Sequence, residues 1–414
     1  MIKIKSIVQI FMLIMILILL ISCKNTNNLD NNGITINEPN KNSKTIQIYN
    51  NRLYYFNGYT VIYKRLDDLS IDAIPLCSDS LCGHNSKSCP LFLGWRFYKI
   101  LAIDKEESIK NKNYPIIYLS YWSANSESSL DGNYRISRYD SAKNITEVIV
   151  SKVPNLITSF YLYEKYVFYI TDDGDSGHNI HVITKDGKNK YSLDNPNNNS
   201  YIFVAAENDL VYYSDWFGNI YMSDIKLQTS TLLLKTNSTM GTAYIYNGYL
   251  YYADDYDVAA TMGTTEIMNC NFYKISLDNL NAIPEKIIEN VFFSILPYCF
   301  VVDNKLYYCQ AVPEYIGLGF CYNIDSKKQD FDFYFNGTGT IYSYDMTTGK
   351  ICVEIENNGF DLLTFYGGDK NYIIYDLYRV QTDLTKPYSN FDDTPLFIYN
   401  IINKEKTELK GIYP

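Results

Sequence analysis

Residues 207–234 read ENDLVYYSDWFGNIYMSDIKLQTSTLLL, and their order decides the fold. A polar turn, Glu207-Asn208-Asp209, leads into an aromatic strand at Val211-Tyr212-Tyr213. A second turn precedes a strand at Ile220-Tyr221-Met222, and a third precedes another from Thr231 to Leu234. Short runs of β-branched and aromatic residues, bounded by Asn, Asp, Gly and Ser, fit strands rather than an amphipathic helix. The unit is a small antiparallel sheet whose strands follow one another in the chain.

The unit recurs. Its aromatic strand returns as Leu53-Tyr54-Tyr55-Phe56, Ile116-Ile117-Tyr118-Leu119, Val167-Phe168-Tyr169-Ile170, Leu250-Tyr251-Tyr252, Leu306-Tyr307-Tyr308 and Tyr372-Ile373-Ile374-Tyr375. The next strand returns as Val61-Ile62-Tyr63, Tyr134-Arg135-Ile136, Ile180-His181-Val182, Phe272-Tyr273-Lys274-Ile275, Ile341-Tyr342-Ser343-Tyr344 and Phe397-Ile398-Tyr399. Seven such units, spaced by about 40 to 65 residues, predict an all-β chain folded as a single β-propeller of seven four-stranded blades, with six or eight blades as the neighbouring alternatives. Blades bury their faces against one another, so the 42 tyrosines have a packing role before any binding role.

With strands named A to D from the axis outward, B–C loops and the connections from D to the next A leave on one face. The A–B and C–D turns leave on the other. The long insertions, at 122–132, 254–270, 310–339 and 376–395, all fall between B and C. Loops on a rigid scaffold carry function, which makes Trp122, Asp255, Tyr256, Asp257, Tyr315, Phe320, Tyr378, Tyr388 and Phe391 the ligand-binding candidates.

The same face receives CSDSLCGHNSKSC, residues 77–89, at the connection from blade 1 to blade 2. Cys77, Cys82, His84 and Cys89 supply the thiolate and imidazole donors of a closed, structural Zn²⁺ site, with no position left for a water nucleophile. Outside the cytoplasm cysteines usually pair, so a disulfide stands as the alternative. The pairing of Cys270, Cys299, Cys309, Cys321 and Cys352 stays open.

The N-terminus indicates location. Lys3 and Lys5 precede an apolar run from Ile7 to Ile21, then Ser22 and Cys23, the layout of a secretory signal. Leu20-Ile21-Ser22-Cys23 resembles a bacterial lipobox, which implies cleavage before Cys23 and acylation of its thiol. Residues 1–22 are then a lipoprotein signal peptide, 23–44 an Asn-rich tether and 45–414 the propeller. The expected location is the extracytoplasmic face of the cell membrane.

Tyr169-Ile170-Thr171-Asp172, Tyr212-Tyr213-Ser214-Asp215 and Tyr251-Tyr252-Ala253-Asp254 resemble degenerate YWTD repeats of the low-density-lipoprotein-receptor propellers. The resemblance implies that Asp172, Asp215 and Asp254 tie blades together. The whole chain is similar to bacterial lipoproteins carrying a divergent propeller of that type.

A formal net charge of −10 speaks against nucleic acid, which requires clustered Lys and Arg. Gly174-Asp175-Ser176-Gly177 matches a serine-protease motif but has turn composition, and its nearest histidines, His178 and His181, belong to the same hairpin. The expected function is a monomeric, lipid-anchored binding or scaffold module for a protein or glycan. The alternative is a glycan-active hydrolase or lyase with carboxylates drawn from several blades.

Overall fold

The computed structural model describes residues 46–409, apart from 58, 85–87, 94–98, 125–131, 196–197, 237–241, 263–264, 294–298, 303, 310–316, 324–327, 336–339, 357–360 and 380–395. Seven four-stranded antiparallel sheets span residues 46–75, 100–153, 156–192, 201–235, 243–293, 299–355 and 361–408. Strands follow chain order within every sheet. Each aromatic run is strand B of its blade and each following run is strand C.

Blade 4 shows why these residues form these strands. Strand B, Leu210–Asp215, is buried from Val211 onward. Successive side chains of a strand point to opposite faces. Val211 and Tyr213 accordingly pack in the cluster shared with blade 3, while Tyr212 packs in the one shared with blade 5. A strand buried on both faces needs no polar alternation, which is why every strand B reads as an unbroken apolar run. Strand D, Ser230–Lys235, lies at the rim and is mostly exposed.

Seven hydrophobic clusters join the blades, one for each neighbouring pair, including blades 7 and 1. The ring is therefore closed. Among the described residues, closure uses side-chain contacts and no strand exchange: Ile46, Ile48 and Leu53 of blade 1 meet Ile374, Leu396 and Ile398 of blade 7. Tyr372 adds a phenol hydrogen bond to Asn51 across the seam (3.1 Å). Nine of the twelve largest fully buried side chains are tyrosines, so the tyrosine excess is largely blade-on-blade packing.

The two faces differ in a way the sequence only partly conveys. The insertions of blades 2, 5 and 6 continue as β-ribbons instead of forming loops. In blade 5, Tyr249–Met262 pairs with Thr265–Ser276 out to Met262 opposite Thr265. In blade 2, Ile116–Ala124 pairs with Gly132–Asp140. In blade 6, Gly317–Asn323 and Lys328–Phe335 form an extra hairpin between strands B and C. An extended insertion satisfies its own backbone groups this way.

The opposite face is less plain than expected. A helix, Lys105–Lys110, fills the A–B connection of blade 2, capped by the Asp104 carboxylate, which accepts from the Glu107 N–H (2.9 Å). Lys185, at the C–D turn of blade 3, pairs with that buried Asp104 and with Glu107 (3.5 Å), locking blade 2 to blade 3.

Candidate functional site

Blade 1 has the shortest outer strand among these sheets, Ile74–Pro75. The connection that follows fills the space a longer strand would occupy. Leu76, Cys77, Cys89, Leu91 and Leu93 pack into the wedge between blades 1 and 2, against Tyr54, Leu101, Ile117 and Tyr139. Leu93 N–H reaches back to the Tyr59 carbonyl (2.8 Å), and Thr146 of blade 2 donates to the Pro90 carbonyl (2.5 Å). At the other end the Leu76 N–H donates to the Val61 carbonyl (3.0 Å), so both ends of the Cys/His segment are pinned to the scaffold.

Between those ends the chain turns inward. Asp79 accepts from the Leu81 N–H (2.9 Å), and the Asp79 carbonyl accepts from the Cys82 N–H (3.1 Å). His84 takes a left-handed backbone (φ 55°), a conformation tolerated more readily by His than by most side chains. Its N–H donates to the Cys82 sulfur (3.4 Å), and the Leu91 N–H donates to the Cys89 sulfur. A backbone N–H aimed at sulfur from two residues downstream offsets thiolate charge, and it occurs twice here.

The four donor atoms of Cys77, Cys82, His84 and Cys89 lie within 4.8 Å of one another. His84 Nδ1 is 3.9 Å from the Cys89 sulfur. A tetrahedral ion with metal–sulfur bonds of about 2.3 Å sets its sulfurs about 3.8 Å apart, so a small contraction closes the site. Burial pushes the Cys89 thiol up to about 12, the Leu91 N–H draws it back, and the Cys82 and Cys77 sulfurs add to the rise. A divalent cation reverses that balance by favouring thiolate. This Cys₃His cluster could hold a metal ion such as zinc.

The cysteines of blades 5 and 6 are of another kind. Cys299 sits opposite Tyr308, one residue before Cys309, so the two thiols point to opposite faces and into different clusters. Cys270, Cys299 and Cys309 are buried free thiols, and Cys352 is a half-buried one. Cys321 belongs to the inserted ribbon of blade 6.

The ligand candidates whose side chains are described, Trp122, Asp255 and Tyr256, sit on blades 2 and 5. Trp122 is half-buried on strand B of blade 2, opposite Tyr134. Asp255 stands at a β-bulge (φ 52°), where its carboxylate accepts from the Tyr273 hydroxyl and from Asn271 (3.3 Å). The Tyr273 hydrogen bond holds that carboxyl below its usual range. Tyr256 packs inward against the cluster between blades 5 and 6. Asp257, Phe320 and Tyr378 lie on ribbon or strand positions of blades 5, 6 and 7. Tyr315, Tyr388 and Phe391, like Cys23 and the apolar run before it, lie outside the described residues.

The aspartates of the YWTD-like motifs accept hydrogen bonds from within their own blades. Asp215 accepts from the Phe217 and Asn219 N–H groups (2.9 Å each), from the Asn219 amide (2.8 Å) and from the Tyr221 hydroxyl (3.0 Å). Asp172 accepts from the Gly174 N–H (3.0 Å), and Asp254 from the Asp255 N–H (2.9 Å). Asp215 and Asp172 secure the B–C turns that follow them, while Asp254 bonds at the bulge in the blade 5 ribbon. The Gly174–Ser176 segment is one turn of 3₁₀ helix. His181 is committed elsewhere, with its ring nitrogens against Thr171 (2.9 Å) and Ser192 (2.6 Å).

One feature of this face escaped the sequence reading. The B–C turn of blade 4 carries Trp216 and Phe217 at its apex, 41% and 64% exposed. Turn apices ordinarily hold small polar residues, and two adjacent large aromatics there were the available signal.

The chain is thus a seven-bladed β-propeller with a Cys₃His cluster between its first two blades. No family model matches it, and no curated protein matches it. Similar solved structures include the computationally designed Ika8 protein, at TM-score 0.46 and 10% identity over 88% of this chain and 86% of that one. An oligogalacturonate lyase in complex with manganese gives 0.44 and 13% over 70% and 73%. The tricorn protease gives 0.39 and 10% over 88% and 39%. These are likenesses of shape, not of activity.

Proposed function

We propose that this chain is a lipid-anchored, extracytoplasmic binding module that presents its B–C face to a protein or glycan, with a structural Zn²⁺ ordering one sector of that face. The observation that carries the reading is asymmetry: the ribbons of blades 2, 5 and 6 and the Cys/His connection all belong to one face. Strand A of blade 1 also begins at that face, with Ile46. Among the described residues, the one carboxyl that burial pushes up, Glu207, ends strand A of blade 4 and therefore lies toward the opposite face. That position favours binding over acid catalysis on the ribbon face.

Zinc is favoured over a disulfide because four donors converge. A disulfide uses two sulfurs and leaves His84 and the third thiol without a reason to turn inward. The test has three parts. Mass spectrometry of the N-terminal peptide should find diacylglycerol on Cys23, and Cys23→Ala should move the chain from the membrane to the soluble fraction. Elemental analysis should find one zinc per chain. Cross-linking of the full chain in envelopes should capture a ligand that shortening the blade 5 ribbon releases. An unmodified N-terminus in the cytoplasm, or Cys77, Cys82 or Cys89 in a disulfide without metal, overturns the corresponding part.

A further inference from the structure

We propose that Trp216 and Phe217 form a stacking platform for a pyranose ring of a neutral glycan. This rests on the B–C face being the ligand-binding one, and it gives that face a site and a ligand class.

The platform is built to stay in place. Asp215 clamps the turn through four hydrogen bonds, to Phe217, twice to Asn219, and to Tyr221. Gly218 closes the turn with φ 79°, its N–H donating to the Asp215 carbonyl (3.1 Å). The turn is also tied to both flanking connections. Trp216 N–H donates to the Ser200 carbonyl (3.0 Å), and the Thr236 hydroxyl donates to the Gly218 carbonyl (2.8 Å). The neighbouring blade 3 turn joins the frame, because the His178 N–H donates to the Ser200 hydroxyl (3.3 Å). Two exposed aromatic rings are therefore offered on a frame whose ordering cost is already met in the free protein.

The surroundings select the ligand. A pyranose presents an apolar face of C–H bonds and a rim of hydroxyls. Aromatic rings suit the first. The rim requires groups that donate and accept, and His178 and Asp172 stand partly exposed beside the platform, 3.9 Å apart, with the exposed Asn198 on the adjoining connection. Carboxylates outnumber cations in this sector, with Asp172, Asp173 and the buried Asp215 against the exposed Lys235 opposite Asn219. Phosphorylated, sulfated or uronic sugars would be repelled. A protein partner requires on the order of 800 Å² of matched surface, whereas two rings at one turn apex match a sugar ring.

The test uses the purified full chain, with cellohexaose, mannohexaose and chitohexaose as neutral probes and a heparin hexasaccharide as the charged one. Binding is read by calorimetry and by tryptophan fluorescence. At least one neutral hexasaccharide should bind saturably. Trp216→Ala should weaken it at least about tenfold and Phe217→Ala by less, while Trp216→Tyr keeps most of the affinity. Both residues are exposed, so the melting temperature should not change. Absence of binding by all three neutral probes, preference for heparin, or undiminished binding by Trp216→Ala overturns the proposal. If Trp216→Ala binds normally but a shortened blade 5 ribbon does not, the platform fails and the wider reading of the face survives. If neither change matters, both fail.

Discussion

Lys185→Met tests the account of how blades 2 and 3 are joined. Lys185 is only 11% exposed in its side chain and Asp104 only 4%. Asp104 keeps its bond to the Glu107 N–H in the variant, and Glu107 keeps Arg138 (3.0 Å). What is lost is the one cation paired with the Asp104 carboxylate among the described ion pairs. Breaking a buried pair from one side costs about 3–5 kcal/mol, because a buried charge is left uncompensated. For a chain of this size each kcal/mol moves the melting temperature by about 1–2 °C, so a fall of about 3–10 °C is expected by calorimetry or circular dichroism. Lys188→Met provides the comparison, since Lys188 and Asp186 are 77% and 52% exposed and such pairs contribute about 0–1 kcal/mol. Adding Asp104→Leu to Lys185→Met should recover most of the loss. The remaining deficit of about 1 kcal/mol is the helix cap that Asp104 also provides. If Lys185→Met melts with Lys188→Met, or the double variant recovers nothing, the ion pair is not what joins these blades.

Further outcomes follow from the same physics. Burial, and after it Lys190, holds the His181 imidazole down to about 4, below its ordinary 6.5. The unfolded chain then binds the extra proton between those values, so stability is full above about pH 6.5 and falls toward pH 4. The ring is only half-buried, so the loss is about 1–2 kcal/mol, and His181→Gln should flatten it in pH-dependent urea unfolding. Free Zn²⁺ at about a hundred times its Kd should stabilise the chain by about 3 kcal/mol, and chelator or Cys89→Ser should abolish the gain while Cys352→Ser leaves it. Gly177→Ala should destabilise the chain by about 1–3 kcal/mol, since φ is +76° and the added carbon would lie 2.7 Å from the Asn198 and Asn199 carbonyl oxygens. Thermal melts check both of these last two.

The ring was legible because strand B is buried on both faces. Val211-Tyr212-Tyr213 and its counterparts are long enough apolar runs to stand out, and strand C follows each after a turn. Strand A was harder to find: Ile46–Tyr49 and Ala243–Tyr246 have four residues each and no distinctive composition. The blade 2 helix was missed although Asp104 and Glu107 have the spacing of a capping box, because six residues give no helical period. Ribbons passed for loops where bulges interrupt alternation, as between Asp254 and Asp257. The Cys/His cluster was visible as a spacing. Its seat in the wedge left by a two-residue outer strand depends on blade packing, which no local pattern encodes.

Closure without strand exchange has a consequence for how the molecule comes together and comes apart. Each blade is one continuous stretch of chain, and each interface is formed by side-chain packing with added hydrogen bonds and ion pairs and no shared strand among the described residues, so no blade is first except by the accident of where synthesis starts. New termini between blades 3 and 4, with the old ends joined, would preserve all seven clusters. Blade 1 differs from the others in one respect, because its connection to blade 2 is pinned by the Cys/His segment. A pull applied at residue 46 should therefore open the junction with blade 7 first and meet its second barrier at that segment.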